Sequence, residues 1–126
     1  MNIKIATAPV SWGVIMKDTP NVPPWDTVLQ EISDSGYIGT ELGPYGFLPQ
    51  DTAIIKPRLE ELRLTLISAY VQINLVNPAA KQEEYDETIA TSKVLSDMGC
   101  EWVVLSDALF FSDNRAARAG RVRPED

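Results

Sequence analysis

Glu41 and Asp107 stand at the carboxyl-terminal ends of two apolar runs, residues 37–42 and 102–106. A carboxylate in such a setting costs on the order of several kcal/mol to bury unless it finds a hydrogen bond or an opposite charge. Glu41 is therefore expected either to accept hydrogen bonds from the hydroxyls of a ligand or to form a buried ion pair. Asp107 is expected to do the same, or to cap the segment that follows it. Tyr70, Gln72 and Asn74 come at or just after a third apolar run, residues 64–71. Strand alternation puts all three on one face, where they either contact a ligand or make ordinary loop hydrogen bonds. Trp12 follows the first run, residues 3–8, and offers an apolar wall to a ligand or packing beneath its own loop. Tyr45 lies in the turn Gly43-Pro44-Tyr45-Gly46 and could cover the same end.

Other chemistries lose support. The chain has no histidine and one cysteine, Cys100. No intramolecular disulfide can form, and no imidazole is present to activate the thiol, so a buried structural thiol is expected. Eighteen acidic residues against eleven basic ones leave a net charge of −7, which repels phosphate backbones and disfavours nucleic acid. The first loop holds neither a Gly-x-Gly-x-x-Gly nor a phosphate-binding lysine motif. Arg115, Arg118, Arg121 and Arg123 crowd the end of the chain, as a solvated loop or an anion contact. The amino terminus does not read as a signal peptide, and no apolar run approaches membrane-spanning length. A cytoplasmic location without membrane contact is the default expectation.

Four strand-like runs that alternate with three helix-like segments must position these residues. Trp25, Val28, Leu29 and Ile32 share one helical face, with Pro24 at the first helical position and Gly36 after the last turn. Asp51 can cap a second helix with Ile55, Leu59 and Leu62 inward. Pro57 is tolerable there only near the first turn, or else the helix begins at Pro57 itself. Residues 82–98 form the longest helix, with Tyr85, Ile89, Val94, Leu95 and Met98 facing inward. The strands begin about 30 residues apart, near the span of one βα unit, which predicts an α/β fold with a parallel sheet and right-handed crossovers. At 126 residues the chain is one domain. An open doubly wound sheet and half of a (β/α)8 barrel both fit, the latter with four strands and three helices over residues 1–126.

The segments Ala8-Pro9-Val10-Ser11-Trp12-Gly13, Gly36-Tyr37-Ile38-Gly39-Thr40-Glu41-Leu42-Gly43-Pro44 and Val104-Leu105-Ser106-Asp107 resemble the sugar phosphate isomerase/epimerase superfamily with its xylose isomerase-like TIM barrel. Within it the chain is most similar to inosose (2-keto-myo-inositol) dehydratases. The resemblance implies a partial (β/α)8 barrel, an amino-terminal half, and proton abstraction beside a carbonyl in a sugar or cyclitol, leading to isomerisation, epimerisation or dehydration. It also implies a divalent metal (manganese, cobalt or magnesium) in the full-length barrel, held by two glutamates, an aspartate and a histidine on later strands. None of those ligands, and no catalytic residue, is assigned to this chain. Its expected contribution is part of the substrate wall: Trp12, Glu41, Asp107, Tyr70 and Gln72. Alone it is expected to be inactive. A rival expectation is a non-catalytic half-barrel that associates through open sheet edges, with a homo-oligomer as the result. An endonuclease on the same barrel is disfavoured by the acidic balance.

Overall fold

The computed structural model describes residues 3–74, 82–107, 117, 120, 121 and 123. Arg115 and Arg118, expected in a solvated loop or an anion contact, lie outside the described residues. The elements run β1 (Ala6–Thr7), a 3₁₀ turn (Pro9–Trp12), α1 (Trp25–Asp34), β2 (Gly39–Glu41), α2 (Thr52–Glu61), β3 (Thr65–Ser68), β4 (Tyr70–Ile73), α3 (Gln82–Asp97) and β5 (Val104–Asp107).

β1, β2 and β3 form one parallel sheet in that order, and β4 pairs in parallel with β5. The two sheets meet in a single line of chain. The apolar run at residues 64–71 is not one strand, as its composition predicts, but two halves divided at fully buried Ala69. The Ser68 carbonyl accepts from Leu42 N on one side, at 2.9 Å, and the Ala69 carbonyl accepts from Val104 N on the other, at 2.8 Å. Neighbours therefore follow the order of the chain without reversal. A doubly wound sheet reverses direction beside its first strand. The sequential order with three intervening helices is an α/β architecture compatible with part of a (β/α)8 barrel.

The helices form where the sequence pattern places them. Val28, Leu29 and Ile32 of α1 are fully buried. Pro24 precedes the helix as its cap residue rather than opening it. The Asp51 carboxylate accepts from Ala53 N at 2.9 Å and caps α2, while Ile55, Leu59 and Leu62 face the core. Arg58 ties α2 to α1: Nε donates to Asp26 at 2.6 Å and a terminal nitrogen donates to Gln30 at 2.9 Å. The other terminal nitrogen reaches Glu61 at 2.8 Å. Hydrogen bonds to Glu61 and then Asp26 raise the Arg58 pKa above its ordinary value, so this tie stays charged at every physiological pH.

Pro57 sits inside α2, past its first turn, and not at its start. Its ring supplies no N–H to the Ala53 carbonyl. Pro57→Ala restores that donor at an exposed position. It is expected to stabilise the fold by about 2 kcal/mol, because the helix gain of about 3 kcal/mol exceeds the entropy returned to the unfolded chain. A rise in the urea midpoint checks this, and an unchanged midpoint would count against it.

Several apolar residues are more open than their pattern predicts. Ile3 and Ile5 are exposed, and only Ala6–Thr7 of the first run is strand. Tyr85 and Ile89 of α3 face outward, leaving Thr91, Val94 and Leu95 as its buried positions. Cys100 is half-buried, its Sγ 3.7 Å from the Trp102 carbonyl oxygen. Trp102, Val103, Val104 and Leu105 are exposed.

Gly39 is the tightest point of the sheet. A Cβ there would stand 2.8 Å from the Thr65 carbonyl oxygen and 3.0 Å from Ile67 Cγ2. The first of these is backbone and cannot swing away. Gly39→Ala is expected to destabilise the chain by about 1–3 kcal/mol, read as a lower denaturant midpoint with an unchanged slope.

Candidate functional site

The carboxyl-terminal ends of the strands open on a cleft of about 880 Å³. Two loops, one strand and one helix build it. Ala8 and Val10 lead into a loop of turns and bends that adds Ile15, Met16, Lys17 and Asp18 to the lining. That loop is pinned by buried Val14, and by Thr19, whose hydroxyl donates to the Met16 carbonyl at 2.7 Å and accepts from Met16 N at 2.8 Å. Glu41, Gly43, Pro44 and Tyr45 come from the end of β2. Gly43 adopts φ +76°, and a Cβ there would meet the Pro9 ring at 3.0 Å, so the first and second loops lie in close contact. Tyr70, Val71 and Gln72 of β4 and the amino-terminal half of α3 complete the lining. Glu84 of α3 also accepts from Asn74 N at 3.0 Å, fixing the chain just after β4.

Glu41 is half-buried at the last position of β2. Its Oε1 accepts a hydrogen bond from the Ser68 hydroxyl at 2.8 Å. The partner is therefore a neutral hydroxyl and not the opposite charge of a buried ion pair. A carboxylate held this way keeps acceptor capacity on its second oxygen for hydroxyl donors.

The structure brings Glu41, Tyr70 and Gln72 together in this cleft, along with Tyr45. Trp12 and Asp107 are placed elsewhere. Trp12 packs against the core, and its indole Nε1 donates to Glu31 of α1 at 2.6 Å. Asp107 is the last residue of β5, in register with buried Ile73. Alternation puts it on the face opposite Gln72, whose register partner is Ser106. Lys17, Asp18, Ser68, Glu83, Glu84 and Glu87 escaped the sequence reading. Only Ser68 carries a signal in the sequence, as a small hydroxyl residue amid an apolar run.

The charged lining is acidic: Asp18, Glu41, Glu83, Glu84 and Glu87 face a single lysine, Lys17. No group of three metal-ligating side chains occurs among the described residues. None of the described helices is long and apolar enough to cross a membrane.

A run of sequential βα units with a cleft at the strands' carboxyl ends defines the class: a parallel α/β protein compatible with part of a (β/α)8 barrel. Comparison with known proteins gives a narrower result. No protein-family profile matches the chain. It is similar to inosose dehydratase of Geobacillus kaustophilus, 26% identical over 107 residues, covering 82% of this chain and 33% of that protein. It is also similar to the rhizopine catabolism protein MocC of Rhizobium meliloti, 32% identical over 110 residues, covering 85% of this chain and 32% of that protein. The resemblance to inosose dehydratases is thus borne out. The chain spans about a third of the length of the curated relatives it matches.

Proposed function

We propose that this chain forms part of the substrate wall of an inosose dehydratase-like enzyme acting on a cyclic polyol ketone. The observation that carries the reading is Glu41: a half-buried carboxylate lining the cleft at the end of β2, in a chain similar to inosose dehydratase. In such a reaction a proton leaves the carbon beside the ketone. The resulting enediolate expels the hydroxyl of the next carbon, water is lost, and the enol tautomerises to a diketone. Reprotonation at the same stage would give isomerisation or epimerisation instead. Glu41 accepts hydrogen bonds from ring hydroxyls and orients the ring, and Tyr70 and Gln72 flank it. The acidic lining suits a neutral polyol and opposes a phosphorylated one.

The divalent metal that the resemblance implies does not fit these residues. The described side chains gather no set of three ligands, and the sequence has no histidine. No step is therefore assigned through a metal.

A direct test substitutes this chain for the matching segment of the Geobacillus kaustophilus protein and follows loss of water from 2-keto-myo-inositol. Turnover by the chimera is expected. A folded chimera that binds no 2-keto-myo-inositol and releases no diketone would overturn the reading.

A second reading, of self-association, is favoured by one observation. Ile3 and Ile5 beside β1, and Val104 and Leu105 on β5, are large apolar side chains left exposed at the two outer strands. We propose that two copies pair through these edges. Sedimentation at micromolar concentration is expected to show twice the chain mass, and a monomer at all concentrations would rule the pairing out.

A further inference from the structure

We infer that Ser68 is a positioning residue for Glu41, and that an irregularity in the sheet exists at the point where it brings the two together. The inference rests on the reading of Glu41 as a polyol-binding carboxylate and adds the device that sets it. Between β2 and β3 the parallel register runs Gly39 with Thr65 and Thr40 with Leu66, and then shifts: Glu41 pairs with Ser68, skipping Ile67. An unbroken register would set Glu41 opposite Ile67, whose side chain has no hydrogen-bond donor. Bulges of this kind re-aim side chains beside functional sites. The result is the 2.8 Å hydrogen bond from Ser68 Oγ to Glu41 Oε1.

Ser68 is itself buried, whereas Glu41 is only half-buried and lines the cleft. The fixed member of the pair is the hydroxyl, and the member that meets a ligand is the carboxylate. Among the described residues Oε2 of Glu41 has no side-chain donor of its own. Pinning Oε1 lowers the rotamer freedom lost when a ligand hydroxyl binds Oε2, which is how preorganisation adds affinity. Ser68 touches no ligand in this account. It acts through Glu41.

The test measures binding of 2-keto-myo-inositol to the 126-residue chain in the wild type, Ser68→Ala, Ser68→Thr, Glu41→Ala and the double alanine variant, and the ¹³Cδ resonance of Glu41 in the three of these that keep it. Ser68→Ala is expected to weaken binding about fivefold, in line with the loss of one ordinary hydrogen bond, and to shift the Glu41 resonance. Ser68→Thr keeps the hydroxyl and is expected to restore both. In the Glu41→Ala background, Ser68→Ala is expected to add nothing. An additive loss there, or an unmoved Glu41 resonance in Ser68→Ala, would overturn the positioning role. Thermal melts separate these outcomes from simple unfolding. Absence of binding by the wild type would instead sink the polyol reading, and the Glu41 resonance would still decide whether Ser68 holds it.

Discussion

Glu41→Gln is expected to weaken binding of 2-keto-myo-inositol about 10- to 100-fold while leaving the fold intact. The substitution conserves shape, and the Ser68 hydroxyl can still donate to the amide oxygen that replaces Oε1. What is lost is charge. Hydrogen bonds to an ionised group contribute roughly 1.5–3 kcal/mol, against about 1 kcal/mol for neutral pairs, and 1.4 kcal/mol is a factor of ten. The second oxygen suffers a further change if the amide nitrogen takes its place, because a donor then faces a donor. Calorimetric titration reads the loss directly. A Glu41→Gln variant with wild-type affinity would remove Glu41 from the site.

Leu29→Ala should be the most destabilising of the substitutions considered. Leu29 is fully buried on α1, in a core that also contains Ile32, Leu42, Ile55 and Leu59. Removing its side chain costs the lost transfer energy plus a cavity that the surrounding elements fill only partly, about 2–5 kcal/mol. Domains of this size have a total stability of about 5–15 kcal/mol, so the variant should sit near the edge of folding at 37 °C. Ile89→Ala provides the contrast. Ile89 lies on α3 at a position that sequence periodicity assigns to the core, but it is 66% exposed. Its truncation should change stability by less than about 0.5 kcal/mol. Equal losses from the two substitutions, measured by denaturant titration, would contradict the packing described for α1 and α3.

The contrast between those two residues shows what was legible in the sequence. The inner faces of α1 and α2 follow the helical period because each packs on the sheet along its length, and Asp51 announces its cap by type and place. α3 breaks the pattern in its first half. Glu83, Glu84 and Glu87 line the cleft there, so Tyr85 and Ile89 have no core to enter. The division of the third apolar run at Ala69 was invisible, since both halves are apolar and nothing in composition marks a change of partner strand.

Of the expected wall, Glu41, Tyr70 and Gln72 converge: Glu41 ends β2, while Tyr70 and Gln72 alternate onto one face of β4, and all three line the cleft. Trp12 does not, because a 3₁₀ turn carries its indole back to Glu31. Asp107 does not, because β5 runs one residue further than its apolar content suggests and alternation turns it away. Ser68 required the register, and register is a property of two strands that neither one specifies alone.

In the proposed function the mouth of this cleft, lined by Glu41, holds a cyclic polyol ketone. The most direct measurement is a heteronuclear NMR titration of the chain with 2-keto-myo-inositol. Saturable shifts are expected, confined to Glu41, Tyr45, Tyr70, Gln72 and their neighbours, and lost in Glu41→Gln at the same ligand concentration. Saturable shifts centred on another surface, or shifts at the cleft that survive Glu41→Gln unchanged, would contradict the proposed function.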